Sequence, residues 1–291
     1  MTNRLLSSRT FLFITGIVAV TSMRMTAAAE LEFDHVWIVV SRDAPERAAL
    51  DRAGLKISPD VNRHDGQGTA SVSAEFFNAY VELMWPDPTV SVAPGAERGV
   101  EKFKNRMNWR TSGWSPIGIA LHRIGPATTL PFPTWSIAPD WMPKGTAIEI
   151  LTARDDTKSP SFFIEPSVLA VKEEANRKLG ENEPNKASPA SDRFQHPIGV
   201  ERITAIQIIR PKAYQPVAAF TYLEKAGIFK VSEGTEWSDR RERHVRPSRE
   251  GSGRAQREND EIQWAIEVTF DAGRKAQTKD LRPDLPLIIH Y

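Results

Sequence analysis

One pattern recurs along the chain and restricts its fold more tightly than composition does: a β-branched strand, a crossover, then further strands. In the first copy, "HVWIVV" (35–40) has the β-branched and aromatic content of a strand. "DAPERAALDRAGL" (43–55) follows with helical signals, Asp43 as N-cap, Glu46 three residues on and Gly54 as the stop. A turn-rich stretch with "HDGQG" (64–68) leads to two more strands, "TASVSAEFF" (69–77) and "AYVELMW" (79–85), joined at Asn78-Ala79. A further short strand is expected near Lys56–Ile57. The order is β-α-β-β-β.

A Pro-, Gly- and charge-rich linker covers 86–113, and "PGAERGVEKFKNRMNW" within it is predicted to form one helix. "PIGIALHR" (116–123) starts a second copy. Its crossover carries five prolines in "IGPATTLPFPTWSIAPDWMPKG" and so holds no long helix. "TAIEILTA" (146–153) and "PSFFIEP" (160–166) are its remaining strands. After the polar connection 171–197, a third copy is expected. It comprises the strand "ITAIQIIRP" (203–211), the helix 213–228 ending at Gly227, a short strand at 229–232, and the strands "EIQWAIEVTF" (261–270) and "LPLIIHY" (285–291). "TAIEILTA…SPSFFIEP" parallels "WAIEVTF…LPLIIHY", and "DRAGLKIS" parallels "EKAGIFKVS". The predicted organisation is therefore 1–29 as a leader, 30–166 as paired units (30–86 and 114–166), 167–200 as a polar linker, and 201–291 as a third unit.

The leader has Arg4 and Arg9 ahead of "FLFITGIVAV" (11–20) and the small-residue run Ala27-Ala28-Ala29 before Glu30, which is the pattern of a cleaved export signal. The expected destination is the periplasm or the exterior, with no membrane span left after cleavage. Ten apolar residues fall short of the about 20 that cross a bilayer. Lys plus Arg number 38 against 37 for Asp plus Glu, which gives no global case for nucleic acid or an anionic membrane surface. The chain has no cysteine, so disulfides, thiolate catalysis and Cys-type zinc sites are excluded. Any metal must be held by His, Asp, Glu or backbone oxygen.

"FDHVWIVVSRD", "TASVSAEFFNAYVELMW" and "SPSFFIEP", followed by "HPIGVERITAIQI", resemble the vicinal-oxygen-chelate superfamily, and more closely its glyoxalase-like domain group. The resemblance covers most of 31–291 and implies an α+β fold in which two β-α-β-β-β units pair their curved sheets into a cup. It also implies metal ligands on the first and last strands of each unit: His35, Glu82 and Glu165. The fourth position falls at Ile117, which cannot ligate, and His122, five residues on, faces the other way by strand alternation. One imidazole, two carboxylates and open positions suit Zn²⁺, Ni²⁺, Mn²⁺, Fe²⁺ or Co²⁺. In the related lyases the metal stabilises an enediolate while a carboxylate moves the proton, a catalytic role that falls here to Glu165 or Glu82.

Two functional readings follow. One is a divalent-metal lyase or isomerase acting on a small substrate with adjacent oxygens; the other is a metal-free protein sequestering a small aromatic or apolar ligand in the same cup. His35 has a simpler reading as a strand-start histidine bonded to Asp34 or a carbonyl. Trp37, Tyr80, Trp85, Phe162 and Phe163 are expected in the core. His64 belongs to a surface turn, His196 makes a structural bond, His290 lies at the chain end, and His244 sits in the charged loop 238–260. That loop carries seven arginines and five acids with no interleaved aromatics, the composition of a solvated segment. The third unit is left for packing or for a homodimer surface.

Overall fold

The computed structural model describes residues 30–126, 128–139, 141–153, 156, 158–181, 192–234, 264–271 and 277–291. The predicted leader, the charged loop 238–260 and His244 lie outside these residues. The fold is α+β, with a curled half-barrel of eight strands and a second, five-stranded sheet.

In the first sheet the order is β2 (Asn62–His64), β3 (Thr69–Glu75), β4 (Tyr80–Pro86), β1 (Leu31–Val39), β5 (Ile117–Arg123), β8 (Ser161–Glu165), β7 (Ile148–Ile150) and β6 (Trp135–Ile137). At its centre β1 and β5 run antiparallel, β1 parallel to β4 and β5 parallel to β8. Strand alternation settles which face meets the core. Val36, Ile38 and Val40 of the first strand region, Ala70, Val72 and Ala74 of β3, and Val81, Leu83 and Trp85 of β4 all enter one hydrophobic cluster. Their neighbours in sequence face the concave side.

The first helix is shorter than predicted. α1 spans Arg47–Ala53, because Asp43 and Ala44 adopt left-handed φ of 62° and 48° in a turn that buries Ala44. Glu46 does not return to cap α1 as a capping box would. Its Oε1 instead accepts from the Ser41 backbone N–H at 3.0 Å and the Ser41 hydroxyl at 2.6 Å. Gly54 ends the helix at φ 84°, as predicted, with Ile198 Cγ2 2.5 Å from where a Cβ would stand. The strand expected at Lys56–Ile57 forms instead at Asn62–His64, paired with β3.

In the linker, α2 (Glu97–Met107) and α3 (Trp109–Ser112) replace the single predicted helix, and α2 lies against β1 and β4 with Phe103 on Trp37. The proline-rich crossover holds no helix, but it contributes β6, an edge strand that its sequence does not announce. Part of the polar connection also folds, as α4 (Glu173–Glu181), with ion pairs from Arg177 to Glu173 and from Lys178 to Glu174 one turn apart.

The second sheet departs most from expectation. Its order is β10 (Lys230–Glu233), β9 (Ile203–Arg210), β11 (Ala265–Phe270), β13 (Leu287–His290) and β12 (Thr278–Asp280). β11 lies antiparallel to β9 and parallel to β13, so it does not continue a hairpin from β10. β11 thus takes a central place, whereas β7, whose sequence it parallels, is a near-edge strand of the first sheet. α5 (Ala218–Lys225) begins after Pro216, with Val217 extended. α1 and α5 contribute Leu50, Phe220 and Leu223 to the cluster that also takes one face of each sheet, so the core lies between the sheets. No helix among the described residues is long and apolar enough to cross a membrane.

Candidate functional site

The concave face of the first sheet gathers a cluster of titratable residues, Asp34, His35, His64, Tyr80, Glu82, His122 and Glu165. The pairing of β1 with β5 shifts between Phe33 and His35, where Asp34 has no partner. Leu31 and Phe33 pack toward the core before this bulge, and Val36 and Ile38 after it. The one-residue slip puts Asp34 and His35 together on the concave side, where a regular strand would point them apart.

Asp34 is fully buried, and both its oxygens are engaged. Oδ1 accepts from His35 Nδ1 at 2.7 Å; Oδ2 accepts from His122 Nδ1 at 3.1 Å and from the Val171 backbone N–H at 2.9 Å. Burial alone would raise this carboxyl, but the hydrogen bonds from His122 and His35 outweigh it and hold the group well below the usual carboxylate range.

His35 is 2% exposed. Burial disfavours its charge, yet the Asp34 hydrogen bond and the nearby Glu165 and Glu82 raise its pKa above the ordinary value. Tyr80, its register partner on β4, stacks on the ring with centroids 4.0 Å apart and brings its hydroxyl to 3.2 Å from Nε2. Glu82 Oε2 lies 3.8 Å from the same nitrogen. Phe163 meets the imidazole edge-on at 5.9 Å.

Glu82 sits opposite Trp37 in the register of β1 and β4, and is 5% exposed. Its other oxygen is 3.6 Å from His64 Nε2. Glu165 reaches the site from β8, opposite His122 on β5. Burial pushes its carboxyl up to about 7. Ligand atoms of Asp34, His35 and Glu165 all lie within 4.8 Å of one another. His35, Glu82 and Glu165 thus lie on one face of the sheet, but the group whose ligand atoms converge is Asp34, His35 and Glu165, with Glu165 only partly buried and Glu82 outside that group.

Two expectations change. Ile117 is fully buried in the hydrophobic core, so the fourth ligand position does not fall there. The alternation along β5 holds, but in the other phase: Gly118, Ala120 and His122 face the cup. Gly118 leaves room for the Trp37 indole, whose Cε2 stands 1.9 Å from where a Cβ would be. His64 is no plain turn residue. It closes β2, its Nδ1 lies 2.9 Å from Thr69 Oγ1, and its Nε2 lies 3.0 Å from Asn62 Nδ2. Burial lowers its pKa, so it stands neutral beside Glu82. Only the alternation of Asn62 and His64 along β2 could have hinted at this from the sequence.

Among the described residues no Lys or Arg forms an ion pair with Asp34, Glu82 or Glu165; their basic neighbours are imidazoles, and the one beside Glu82 on β2, His64, is neutral. Buried carboxylates are costly unless paired or metal-bound, so an imidazole and two carboxylates left without a fixed cation fit a divalent ion by charge and by donor type. Beside the cluster a cavity of about 640 Å³ opens over β2, β3 and β4 and is closed by residues 168–172, with Tyr80 and Glu82 in its wall.

No protein-family model matches this chain, and no curated protein matches it. Among solved structures, a hypothetical protein from Staphylococcus aureus aligns at a TM-score of 0.42 and 12% identity, over 89% of this chain and 98% of that one. A likeness of that degree carries no weight for fold or function.

Proposed function

We propose that the concave face binds a divalent cation through His35, Glu82 and Glu165, and that the protein is a lyase or isomerase acting on a small substrate with adjacent oxygens. One observation carries this reading: the buried His35 imidazole lies 3.8 Å from Glu82 and groups with Asp34 and Glu165, and among the described residues no Lys or Arg pairs with these carboxylates. The glyoxalase-like resemblance of the first two strand groups supports the same reading.

Asp34 orients His35, fixing Nδ1 as a donor and turning Nε2 toward the cup. Bound there, a divalent ion would supply Lewis acidity to a chelated pair of substrate oxygens. Glu165 or Glu82, both on the cup face, would be the carboxylate that gives and takes the substrate proton there. The Tyr80 ring, stacked on His35, covers one side of the imidazole.

Elemental analysis of protein purified without chelator tests the cation. About one equivalent, lost in Glu82→Ala, is the expected result. Protein that stays empty after incubation with Mn²⁺, Ni²⁺ and Zn²⁺ overturns the reading. One observation favours a metal-free ligand-binding protein instead: the Tyr80 hydroxyl already contacts His35 Nε2 at 3.2 Å. Under that alternative, Tyr80→Phe leaves the protein metal-free, whereas under the leading reading it keeps or tightens cation binding.

A further inference from the structure

The concave face is chemically divided. β3 sends Ala70, Val72 and Ala74 into the core, while its other face carries Thr69, Ser71, Ser73 and Glu75. β2 adds Asn62 and His64 beside this row, and β4 adds Tyr80 and Glu82. On this face Thr69 and Ser71 are buried while Ser73 and Glu75 are partly open, so the polar row runs from the surface into the protein. Ser71 is 2% exposed, and among the described residues its hydroxyl meets only His64 Nε2, at 3.4 Å. That distance is beyond a good hydrogen bond, so the hydroxyl keeps unused capacity.

The cavity of about 640 Å³ lies over this row and has the size of a small-molecule site. Pockets for drug-like apolar ligands are lined mostly by hydrophobic and aromatic side chains. This one has an apolar side, with Phe76 and residues 168–171, but its β2–β3 side presents the hydroxyls of Ser58, Ser71 and Ser73, the Asn62 amide and the Glu75 carboxylate, with Lys172 and Arg193 at its edge and Glu82 at its end. Asn62 is held by His64 and Glu75 by Arg193, but an apolar or aromatic occupant would strip water from the Ser71 and Ser73 hydroxyls, whose protein contacts are no shorter than 3.4 Å. A ligand that is itself rich in hydroxyls replaces the lost water, because each hydroxyl both donates and accepts.

We propose that this cavity takes a polyhydroxylated ligand of about monosaccharide size, with two neighbouring oxygens directed at Glu82. The direction toward Glu82 rests on the cation site proposed above; the choice of a polyol over an aromatic ligand rests on the serine row alone.

The test is calorimetric titration of the purified protein with pentoses, hexoses and aldonates, and with catechol as the aromatic vicinal diol, each with and without Mn²⁺. Binding by at least one polyol and none by catechol is expected. Ser71→Ala/Ser73→Ala should weaken polyol binding roughly tenfold or more while Mn²⁺ affinity stays within about twofold. Polyol binding that does not depend on Mn²⁺, in a protein that binds no Mn²⁺, sustains this proposal and sinks the cation reading. Stoichiometric Mn²⁺ with catechol bound, or with every polyol silent, overturns the proposal and leaves the cation reading in place. The titrations on the parent protein decide the matter even if the double variant does not fold.

Discussion

Asp34 holds three donors from three segments: His35 beside it, His122 on β5 and the Val171 backbone after β8. Replacing it by Asn keeps the shape but removes the charge that orients His35. By the measured effect of such supporting partners, Asp34→Asn should weaken cation binding about 10- to 100-fold, read by titration calorimetry, with far-UV circular dichroism unchanged. Glu165 yields a pH prediction that needs no metal. Its folded pKa of about 7 lies above the ordinary 4.5, so its contribution to stability is full below pH 4.5 and is lost as pH rises through 7. In chelator, Glu165→Gln should therefore gain on the parent by up to about 3 kcal/mol between pH 4.5 and 8, measured by urea unfolding. A gap that stays flat over that range would mean that Glu165 is solvated.

At the scale of the element, the contact between β1 and β5 decides the site. Trp37 occupies the space over Gly118, where any Cβ would overlap the indole. Gly118→Ala should cost about 1–3 kcal/mol by overpacking, and more if β1 shifts. It should also lower cation affinity, because His35 and Trp37 share that strand face; thermal melts and titration read the two effects separately. The strands themselves were legible: β-branched runs predicted all four strands that meet at the centre of the first sheet. The slip at Asp34 was not, because a bulge is a relation between two strands and "FDHVWIVV" looks the same with or without it. The phase of β5 was hidden for a similar reason. "PIGIALHR" alternates apolar residues on one face and small residues on the other, and only packing against the core shows that the isoleucines point inward.

For the whole molecule, His196 fastens the segment leading into the second sheet to the first. Its Nδ1 accepts from the Lys56 backbone N–H at 2.9 Å, its Nε2–H donates to the Glu75 carbonyl at 2.9 Å, and its ring lies against Phe76, which in turn meets Phe270 of β11. The structural role expected for it is borne out. Burial holds its pKa down to about 4, so the folded state keeps it neutral while the unfolded chain protonates near 6.5. That stability is present above pH 6.5 and is lost as pH falls toward 4, by roughly 3 kcal/mol. His196→Gln should be less stable than the parent at pH 8 and should lose less on acidification, as measured by unfolding at pH 8, 6 and 4.5. His196 and Glu165 thus oppose each other, one setting the acid limit and the other the alkaline limit of the metal-free protein.

The sequence by itself determined the strand-rich composition, the alternation along the central strands, and the exclusion of thiol chemistry. These depend on local period and residue type, which any chain displays. Tertiary structure alone decided that Asp34 joins His35, that His122 rather than Ile117 faces the cup, that His64 reaches Glu82, and that β11 settles beside β9. Each of these depends on the register between segments distant in sequence. A slip of one residue there exchanges the buried and open faces of a strand without altering a letter of it.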